Sequence, residues 1–433
     1  MARSVAGAAA ALLLCVFLLA SAFQAFPDQP GADFYQFWGV PVAKRLSGTA
    51  HTPYVDAAGY AATLNELADH SQSSKLRGAN AYRRTLEPMG TPFLYAVYSI
   101  LPSDYEAAQA IYVTLLYLAA GFGVFALARL RGVGFQGAAC LALLVELTFA
   151  PFMVDIRAAN VNSLQLAFIA ALIWIAAKNV STGNAIVDAS FVGLLGPFVL
   201  FKPNTVWIAA ALAIQFGVSR GWRAFGLAAV WAAIFSMVSL VLGAAYFGDA
   251  SSWQEWLGAA RGMEGGGLAL TVEQGNQSVA MWLARHAQVH GAIGYGVVLG
   301  TVLLGAMALG MTASGRRTDL LVPTAKRTFS NPWFAASVGV LLTYATFPLV
   351  WAHYYVLALI PIAWLFGRDG PWSLATIGAA LCYVVLARVT IGALLSSGHE
   401  SLLAALTMTS WIALVPGTLA FVVAQRRSLE AAA

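Results

Sequence analysis

The sequence predicts an all-α polytopic membrane protein of about twelve transmembrane helices. Two observations predict this fold class. Of the 433 residues, 60% are hydrophobic and only 10% are charged, whereas soluble domains carry about 25% charged residues. The apolar residues also fall into long runs, many of them close to the roughly 20 residues that a helix needs to cross a bilayer. We therefore treat residues 1–433 as a single integral membrane domain.

Twelve apolar runs are candidate spans. They cover residues 5–26, 105–128, 135–152, 161–177, 185–201, 203–218, 223–246, 291–313, 332–350, 353–367, 372–395 and 402–425. A further stretch, 91–102, is bracketed by Pro92 and Pro102 and is too short to span, so we expect an interfacial or re-entrant helix. The first run resembles a signal peptide with a weak cleavage site at Ala20-Ser21-Ala22. Its length and the many spans that follow favour an uncleaved helix.

The basic residues orient the predicted helices. With 91–102 outside the membrane, thirteen of the 24 Lys and Arg residues fall on one side, which the positive-inside rule makes cytoplasmic. Both termini then lie inside, and the outer side carries two long loops, residues 27–104 and 247–290. Within the first loop, 55–70 has helical spacing and is expected to lie along the surface. The second contains three glycines, 265–267, which give it freedom to move over a ligand.

The composition excludes several classes of function. No basic patch interleaved with aromatic residues is present, so we expect no nucleic-acid partner. No glycine-rich nucleotide motif is present either. Cys15, Cys140 and Cys382 lie inside apolar runs at unrelated spacings, which is typical of packing residues and not of a metal or disulfide framework. Since no spacing among the outer carboxylates demands a divalent ion, we expect no metal and no other cofactor.

The stretch directly after the first apolar run places Asp33 at a predicted membrane boundary. Taken alone, Asp33 is either an interface residue whose carboxylate reaches water or a catalytic base. Asp28, five residues earlier, is the alternative base. Tyr35, Phe37 and Trp38 follow Asp33, and they either pack on a ligand or anchor the chain at the membrane interface.

Four further polar clusters are predicted on the same outer side as Asp33. They are Asp155, Arg157, Asn160 and Asn162 in one turn, Lys202-Pro203-Asn204 in the next, Asn276-Gln277-Ser278 in the second long loop, and Trp351 to Tyr355, which includes His353. Each has a structural alternative: Lys202 can snorkel, His353 can be an interface histidine, and Asn160 can cap a helix. Their location on one side of the membrane is the observation that predicts a site.

The side-chain chemistry of these clusters suits a lipid phosphate. Arg157 and Lys202 supply cations for a phosphate, and asparagine amides suit hydroxyl groups. Arg388, inside a predicted span, is a candidate for a further phosphate contact, and Glu146 must likewise be paired or lie in a cavity. Because no soluble nucleotide site is visible, the pattern indicates a lipid-linked activated group that is used at the outer face.

Six motifs, ordered along nearly the whole chain, resemble glycosyltransferase family 87. They are ADFYQFW with the following PVAKRLSGTAHTPY, then PMGTPFLYAVYSILP, RAANVNSLQLAFIAAL, LLGPFVLFKPN, GNQSVAMWLAR and WAHYYVLALIPI. Members of this family are polytopic enzymes of the GT-C fold. They use polyprenyl-phosphate mannose or related sugars, and they include mycobacterial phosphatidylinositol-mannoside mannosyltransferases.

The resemblance implies an inverting glycosyltransferase of a bacterial cytoplasmic membrane whose site faces the periplasm. Asp33 matches the acidic residue that deprotonates the acceptor hydroxyl. The implied donor-phosphate residues are Arg157, Lys202 and His353, and Arg388 stays the further candidate for a phosphate contact. The implied sugar- or acceptor-binding residues are Tyr35, Trp38, Asn160, Asn162, Asn204, Asn276, Gln277 and Ser278. The implied partners are a polyprenyl-phosphate sugar, with mannose as the first candidate, a lipid or glycan acceptor, and membrane lipids.

Two alternatives stay open on the sequence alone. One is a secondary transporter, for which twelve spans with both ends inside are common. Transporters usually place charged sites near the middle of the membrane and carry internal repeats, whereas here the polar clusters gather at one face and no repeat is convincing. The other is a non-catalytic lipid-binding protein of the same architecture, which the substitution Asp33→Asn would separate from an enzyme.

Overall fold

The structure is a computed structural model that describes residues 31–49, 51–177, 185–262, 276–287, 292–312 and 318–432. The first predicted span, Asp28 and the three glycines at 265–267 lie outside these ranges. Within the ranges every regular element is a helix, and β-type pairing is confined to an isolated bridge between Phe149 and Ala387. The predicted all-α fold class is confirmed.

Four short helices precede the first long one. They are α1 (Ala32–Ser47), α2 (Ala57–Asp69), α3 (Ser74–Tyr82) and α4 (Pro92–Tyr98). Side chains cap the starts of the last three: Asp56, Ser73 and Thr91 each accept a backbone N–H of the first turn, at 2.9, 3.1 and 3.1 Å. The expected surface helix within 55–70 and the expected short helix within 91–102 are therefore both present.

The rest of the chain forms a bundle of helices. In order these are α5 (Tyr105–Leu130), α6 (Phe135–Thr148), α7 (Ala150–Ala158), α8 (Asn162–Ala177), α9 (Ala185–Gly193), α10 (Leu195–Phe201), α11 (Val206–Arg220), α12 (Trp222–Phe247), α13 (Ser252–Gly262), α14 (Val279–His286), α15 (Ala292–Thr312), α16 (Leu321–Phe329), α17 (Pro332–Thr346), α18 (Leu359–Leu365), α19 (Leu374–Val385), α20 (Arg388–Ser396), α21 (Glu400–Thr409) and α22 (Val415–Glu430). Short 3₁₀ helices lie at Pro203–Thr205, Thr318–Leu320, Ala352–Ala358 and Ser410–Leu414.

Several of these helices have the length and hydropathy of membrane spans. Four segments of the described chain are long and apolar enough to cross a bilayer: Tyr105–Leu130, Trp222–Phe247, Gly294–Thr312 and Glu400–Glu430. Five shorter apolar helices accompany them: Phe135–Thr148, Asn162–Ala177, Ile186–Phe201, Ala352–Leu365 and Leu374–Val385. The protein is therefore a helical, membrane-embedded protein, and the number of twelve spans stays a prediction.

The helices differ in how deeply they are buried. Helix α17 is the central one, because every residue from Pro332 to Ala345 is buried. Helix α12, in contrast, buries few of its residues and presents large apolar side chains outward. Glycine allows the closest approach to the centre: a Cβ on Gly339 would lie 2.5 Å from the Cα atom of Ile208 in α11. Small residues at helix contacts are typical of membrane bundles.

One end of the bundle gathers the ends of several helices. Helix α1 begins there after Gly31, whose positive φ of 67° suits glycine. The turn at 159–161 between α7 and α8, the turn at 202–205 between α10 and α11, and the segment 347–351 after α17 reach the same end. None of these segments is part of an α-helix, so their backbone and side chains are available to shape a site.

Candidate functional site

A cavity of about 310 Å³ opens among these helix ends. Its polar lining residues are Asp33, Gln36, Arg83, Glu87, Thr91, Asn160, Lys202 and Asn204. Large apolar and aromatic side chains complete the wall: Phe37, Phe201, Trp256, Phe347, Trp351 and Tyr354. The cavity therefore combines a small number of polar groups with an apolar surround, as ligand sites generally do.

Asp33 is the centre of the polar network. Its Oδ1 accepts a hydrogen bond from Arg83 Nη2 at 3.0 Å, and its Oδ2 accepts one from Asn160 Nδ2 at 2.7 Å. His353 Nε2 lies 3.9 Å from Oδ2 and has no hydrogen-bond partner among the described residues. The Asp33 side chain is 17% exposed. Since each carboxylate oxygen offers two acceptor positions, Asp33 keeps room for a ligand hydroxyl.

The environment keeps Asp33 ionised. Burial raises the pKa of the Asp33 carboxyl, but His353, the Arg83 guanidinium, the Asn160 amide and the Lys202 ammonium lower it by more, so the pKa lies below its usual value. The carboxylate is therefore charged at neutral pH and is able to accept a proton.

Lys202 joins the network through Asn160. Its Nζ donates to Asn160 Oδ1 and lies 4.7 Å from the centre of the Tyr354 ring. Burial lowers the pKa of Lys202 to about 8, while the carboxylates of Asp155 and Asp33 oppose this shift. The ammonium group is therefore charged at neutral pH, but it loses its charge at only slightly higher pH.

Arg83 is a site residue that the sequence reasoning missed. It follows α3, and its Nη1 lies 3.6 Å from Glu87 Oε2. With the Gln36 amide oriented to suit its neighbours, the Gln36 oxygen accepts from Arg83 Nε at 2.9 Å. The only sequence signal was the four-residue spacing between Arg83 and Glu87, which is common in polar loops. These contacts fix Arg83 against Asp33.

Asp155 is fully buried and holds the turn that carries Asn160. Its Oδ1 accepts from Asn162 Nδ2 at 2.8 Å, and its Oδ2 accepts from the N–H and the hydroxyl of Ser163 at 2.9 and 2.6 Å. Burial raises the pKa of Asp155, and the hydrogen bonds from Ser163 and Asn162 offset part of this. Ala159 in the same turn has a positive φ of 49°. Asn162 therefore binds Asp155 and does not line the cavity.

The aromatic residues of α1 divide between the cavity and the core. Phe37 lines the cavity. Tyr35 and Trp38 are buried, and their polar atoms are paired inside the protein: the Tyr35 hydroxyl donates to Asn80 Oδ1, and Trp38 Nε1 donates to the carbonyl of Pro102, both at 2.8 Å. In this structure Tyr35 and Trp38 position α1, whereas the sequence suggested ligand contact or interfacial anchoring.

Asn276, Gln277 and Ser278 hold the segment 347–350 in place. Asn276 Nδ2 donates to a carbonyl of this segment at 2.8 Å, and its Oδ1 accepts from the N–H of Val350 at 3.0 Å. The backbone N–H of Gln277 donates to the Val350 carbonyl at 2.6 Å, and the Ser278 hydroxyl donates to another carbonyl of the segment at 2.6 Å. The second long loop therefore supports a wall of the cavity.

Of the remaining predicted residues, Asn204 lines the cavity, and Arg157 and Arg388 do not. Asn204 lines the cavity, where its Oδ1 accepts from Gln165 Nε2 at 3.0 Å. Arg157 is exposed in the last turn of α7, and Arg388 is exposed at the start of α20, where its Nη1 donates to the carbonyl of Leu147 at 3.2 Å. Neither arginine lines the cavity. The predicted residues that converge are therefore Asp33, Asn160, Lys202, Asn204 and His353.

An apolar groove of about 380 Å³ adjoins the cavity. It lies between α11, α15 and α17 and shares Phe347 and Pro348 with the cavity lining. Trp207 and Leu304, both partly exposed, form its sides. A ligand with a polar head and a long apolar chain fits this arrangement, because the head can bind the charged groups of the cavity while the chain lies along the apolar groove.

Among the described residues, no group of three or more His, Cys, Asp or Glu side chains is placed to hold a metal ion.

No family model, no curated protein and no solved structure matches the chain. The chemistry of the cavity must therefore carry any functional conclusion.

Proposed function

We propose that the protein is a membrane glycosyltransferase that moves a sugar, with mannose as the first candidate, from a polyprenyl-phosphate donor to a hydroxyl of a lipid or glycan acceptor. The convergence of an ionised carboxylate, Asp33, with the ammonium group of Lys202 in one cavity carries this proposal. We further propose that twelve spans place this cavity at the outer face of a bacterial cytoplasmic membrane, where nucleotide sugars are absent.

Donor binding divides between the cavity and the adjoining groove. Lys202, which lines the cavity, supplies a cation for the phosphate. His353 does not line the cavity, and its buried Nε2 lies 3.9 Å from Asp33 Oδ2, so we assign it an effect on the site through Asp33. The isoprenoid chain then follows the apolar groove that begins at Phe347 and Pro348. We assign the binding of sugar or acceptor hydroxyls to the amides of Asn160 and Asn204, which line the cavity.

The reaction requires one base and one stabilised leaving group. The acceptor hydroxyl attacks the anomeric carbon in line with the bond to the phosphate oxygen, and its proton passes to Asp33. The bond between the anomeric carbon and the phosphate oxygen breaks, and the electron pair leaves with the polyprenyl phosphate. Lys202 stabilises the charge that develops on that phosphate. The configuration at the anomeric carbon is inverted.

Arg83 is one of the groups, after His353, that lower the pKa of Asp33 and so make it a weak base. The guanidinium at 3.0 Å favours the ionised carboxylate, so the base is available at neutral pH but is weak. A weak base assists most when the hydroxyl becomes acidic as the new bond forms, so proton transfer belongs to the transition state and does not precede it.

Transfer of labelled mannose from polyprenyl-phosphate mannose to a membrane lipid extract tests this proposal. We expect the wild-type protein to form a labelled, inverted product. Asp33→Asn should reduce the rate by about 10²- to 10⁴-fold, the usual contribution of a general base. Binding of polyprenyl phosphate, followed by the intrinsic tryptophan fluorescence to which Trp256 and Trp351 of the cavity lining contribute, should change little.

Asp69→Asn is the matched control, since Asp69 is exposed at the end of α2 and does not line the cavity. It should transfer at the wild-type rate. Wild-type rates in Asp33→Asn would refute the assignment of the base. Absence of transfer by the wild-type protein from any polyprenyl-phosphate sugar would refute the proposed function.

A further inference from the structure

A second large groove lies between α5, α6, α18 and α19. It encloses about 510 Å³ and is lined almost entirely by apolar side chains, among them Leu127, Leu144, Ile362 and Val384. None of its lining residues belongs to the lining of the Asp33 cavity. The groove is therefore a separate feature of the bundle that the proposed reaction does not use.

The groove and the cavity lie at opposite ends of α5. The Tyr112 hydroxyl donates to the carbonyl of Asn160 in the turn beside the cavity, and Arg131, which lines the groove, caps the other end of the same helix. The nineteen steps along the chain from Tyr112 to Arg131 span about 28 Å at 1.5 Å per residue, close to the thickness of the bilayer hydrocarbon core.

Arg131 gives the groove a charged end. Its Nη2 donates to the carbonyl of Phe366 at 3.1 Å, and Phe366 also lines the groove. The guanidinium of Arg368, which does not line the groove, lies near that of Arg131, but it is paired with the Asp369 carboxylate at 3.6 Å and packs 4.3 Å from the centre of the Phe421 ring. A long apolar groove that ends at the Arg131 guanidinium is complementary to a molecule with acyl chains and an anionic head.

We propose that this groove binds one anionic phospholipid, with its acyl chains along the apolar walls and its phosphate at Arg131. Basic pockets between transmembrane helices on the cytoplasmic side are typical sites for anionic lipid headgroups, and the positive-inside rule places Arg131 on that side. The site is independent of the proposed transfer reaction, so its test does not depend on a known substrate.

Native mass spectrometry of the detergent-purified full chain tests the proposal with two probes, dioleoyl-phosphatidylglycerol and dioleoyl-phosphatidylcholine, which have the same chains. The wild-type protein should retain one phosphatidylglycerol more tightly than phosphatidylcholine. Arg131→Gln should weaken the binding of phosphatidylglycerol about fivefold, the factor that one arginine near a lipid headgroup supplies. Arg427→Gln removes an exposed arginine after the last predicted span, outside the groove, and should leave this binding unchanged.

A second pair of variants tests the apolar walls. Ala363→Phe fills the groove and should abolish retention of either lipid, whereas Val238→Phe on the exposed surface of α12 should not. Equal retention of the two probes, equal effects of Arg131→Gln and Arg427→Gln, or unchanged retention in Ala363→Phe would overturn the proposal.

Discussion

Replacing Asp155 with asparagine should destabilise the fold, although the two side chains have nearly the same shape. The carboxylate accepts hydrogen bonds from the Asn162 amide at 2.8 Å and from the N–H and hydroxyl of Ser163 at 2.9 and 2.6 Å. An asparagine offers one oxygen and one NH₂ group. In either orientation of the amide, its NH₂ group faces hydrogen-bond donors, either the Asn162 amide or the Ser163 N–H and hydroxyl.

The structure sets the size of this effect. If the NH₂ group faces Ser163, the hydroxyl can rotate to accept from it, but the buried N–H of Ser163 loses its acceptor. Loss of a hydrogen bond to a charged group costs about 1.5–3 kcal/mol, and a buried unsatisfied donor adds about 1–3 kcal/mol. Because burial raises the pKa of Asp155, removal of the charge recovers part of this cost. We expect a net loss of about 3 kcal/mol.

Thermal unfolding in detergent measures the loss. Ser163→Ala, which removes only the hydroxyl, should cost about 1 kcal/mol, and the exposed Asp69→Asn should stay within about 0.5 kcal/mol of the wild type. The midpoints should therefore fall in the order wild type, Ser163→Ala, Asp155→Asn. An Asp155→Asn protein with the wild-type midpoint would refute the structural role, and one that lost only transfer activity would indicate a chemical role.

Two further predictions concern the charge of the site and the packing of the core. Lys202 is charged below about pH 8 and neutral above it, so the affinity for polyprenyl phosphate should fall as the pH rises through 8. Lys202→Arg stays charged and should abolish this fall. The same dependence of affinity on pH in both proteins would contradict the assignment. Gly339→Ala places a Cβ 2.5 Å from the Cα atom of Ile208 and should cost about 1–3 kcal/mol in thermal unfolding. Gly310→Ala, whose Cβ meets its nearest atom at 3.7 Å, should be neutral or stabilising, and equal effects of the two glycine variants would contradict this packing.

Much of the architecture could be predicted because a bilayer restricts what the chain can do. Apolar runs had to be helices, since no other open structure satisfies its backbone in lipid, and helices occupy every predicted span from residue 105 onward. Asp33, Asn160, Lys202 and His353, which were all predicted on one side of the bundle, lie close together in the structure.

The partners of these side chains could not be predicted from the same pattern. Arg83 reaches Asp33 because α3 folds back over α1. The course of the chain between the two residues cannot be read from the residue types in the loop. Arg157 and Lys202 were equally good candidate cations, but the helix that carries Arg157 turns it outward. Asn276 was a candidate ligand contact, but its amide hydrogen-bonds the backbone of the segment 347–350. Buried asparagines commonly form such bonds, so the residue type alone does not distinguish the two roles.

The long separations within the Asp33 network bear on how the protein matures. Arg83 follows Asp33 by 50 residues and Asn160 follows it by 127, while Lys202 and His353 are synthesised later still. The carboxylate therefore acquires its partners one after another as the chain enters the membrane, with the arginine available first. A nascent chain that stops before Trp351 lacks the His353 imidazole and the Trp351 and Tyr354 side chains of the lining, so the cavity is completed only after most of the bundle has been inserted.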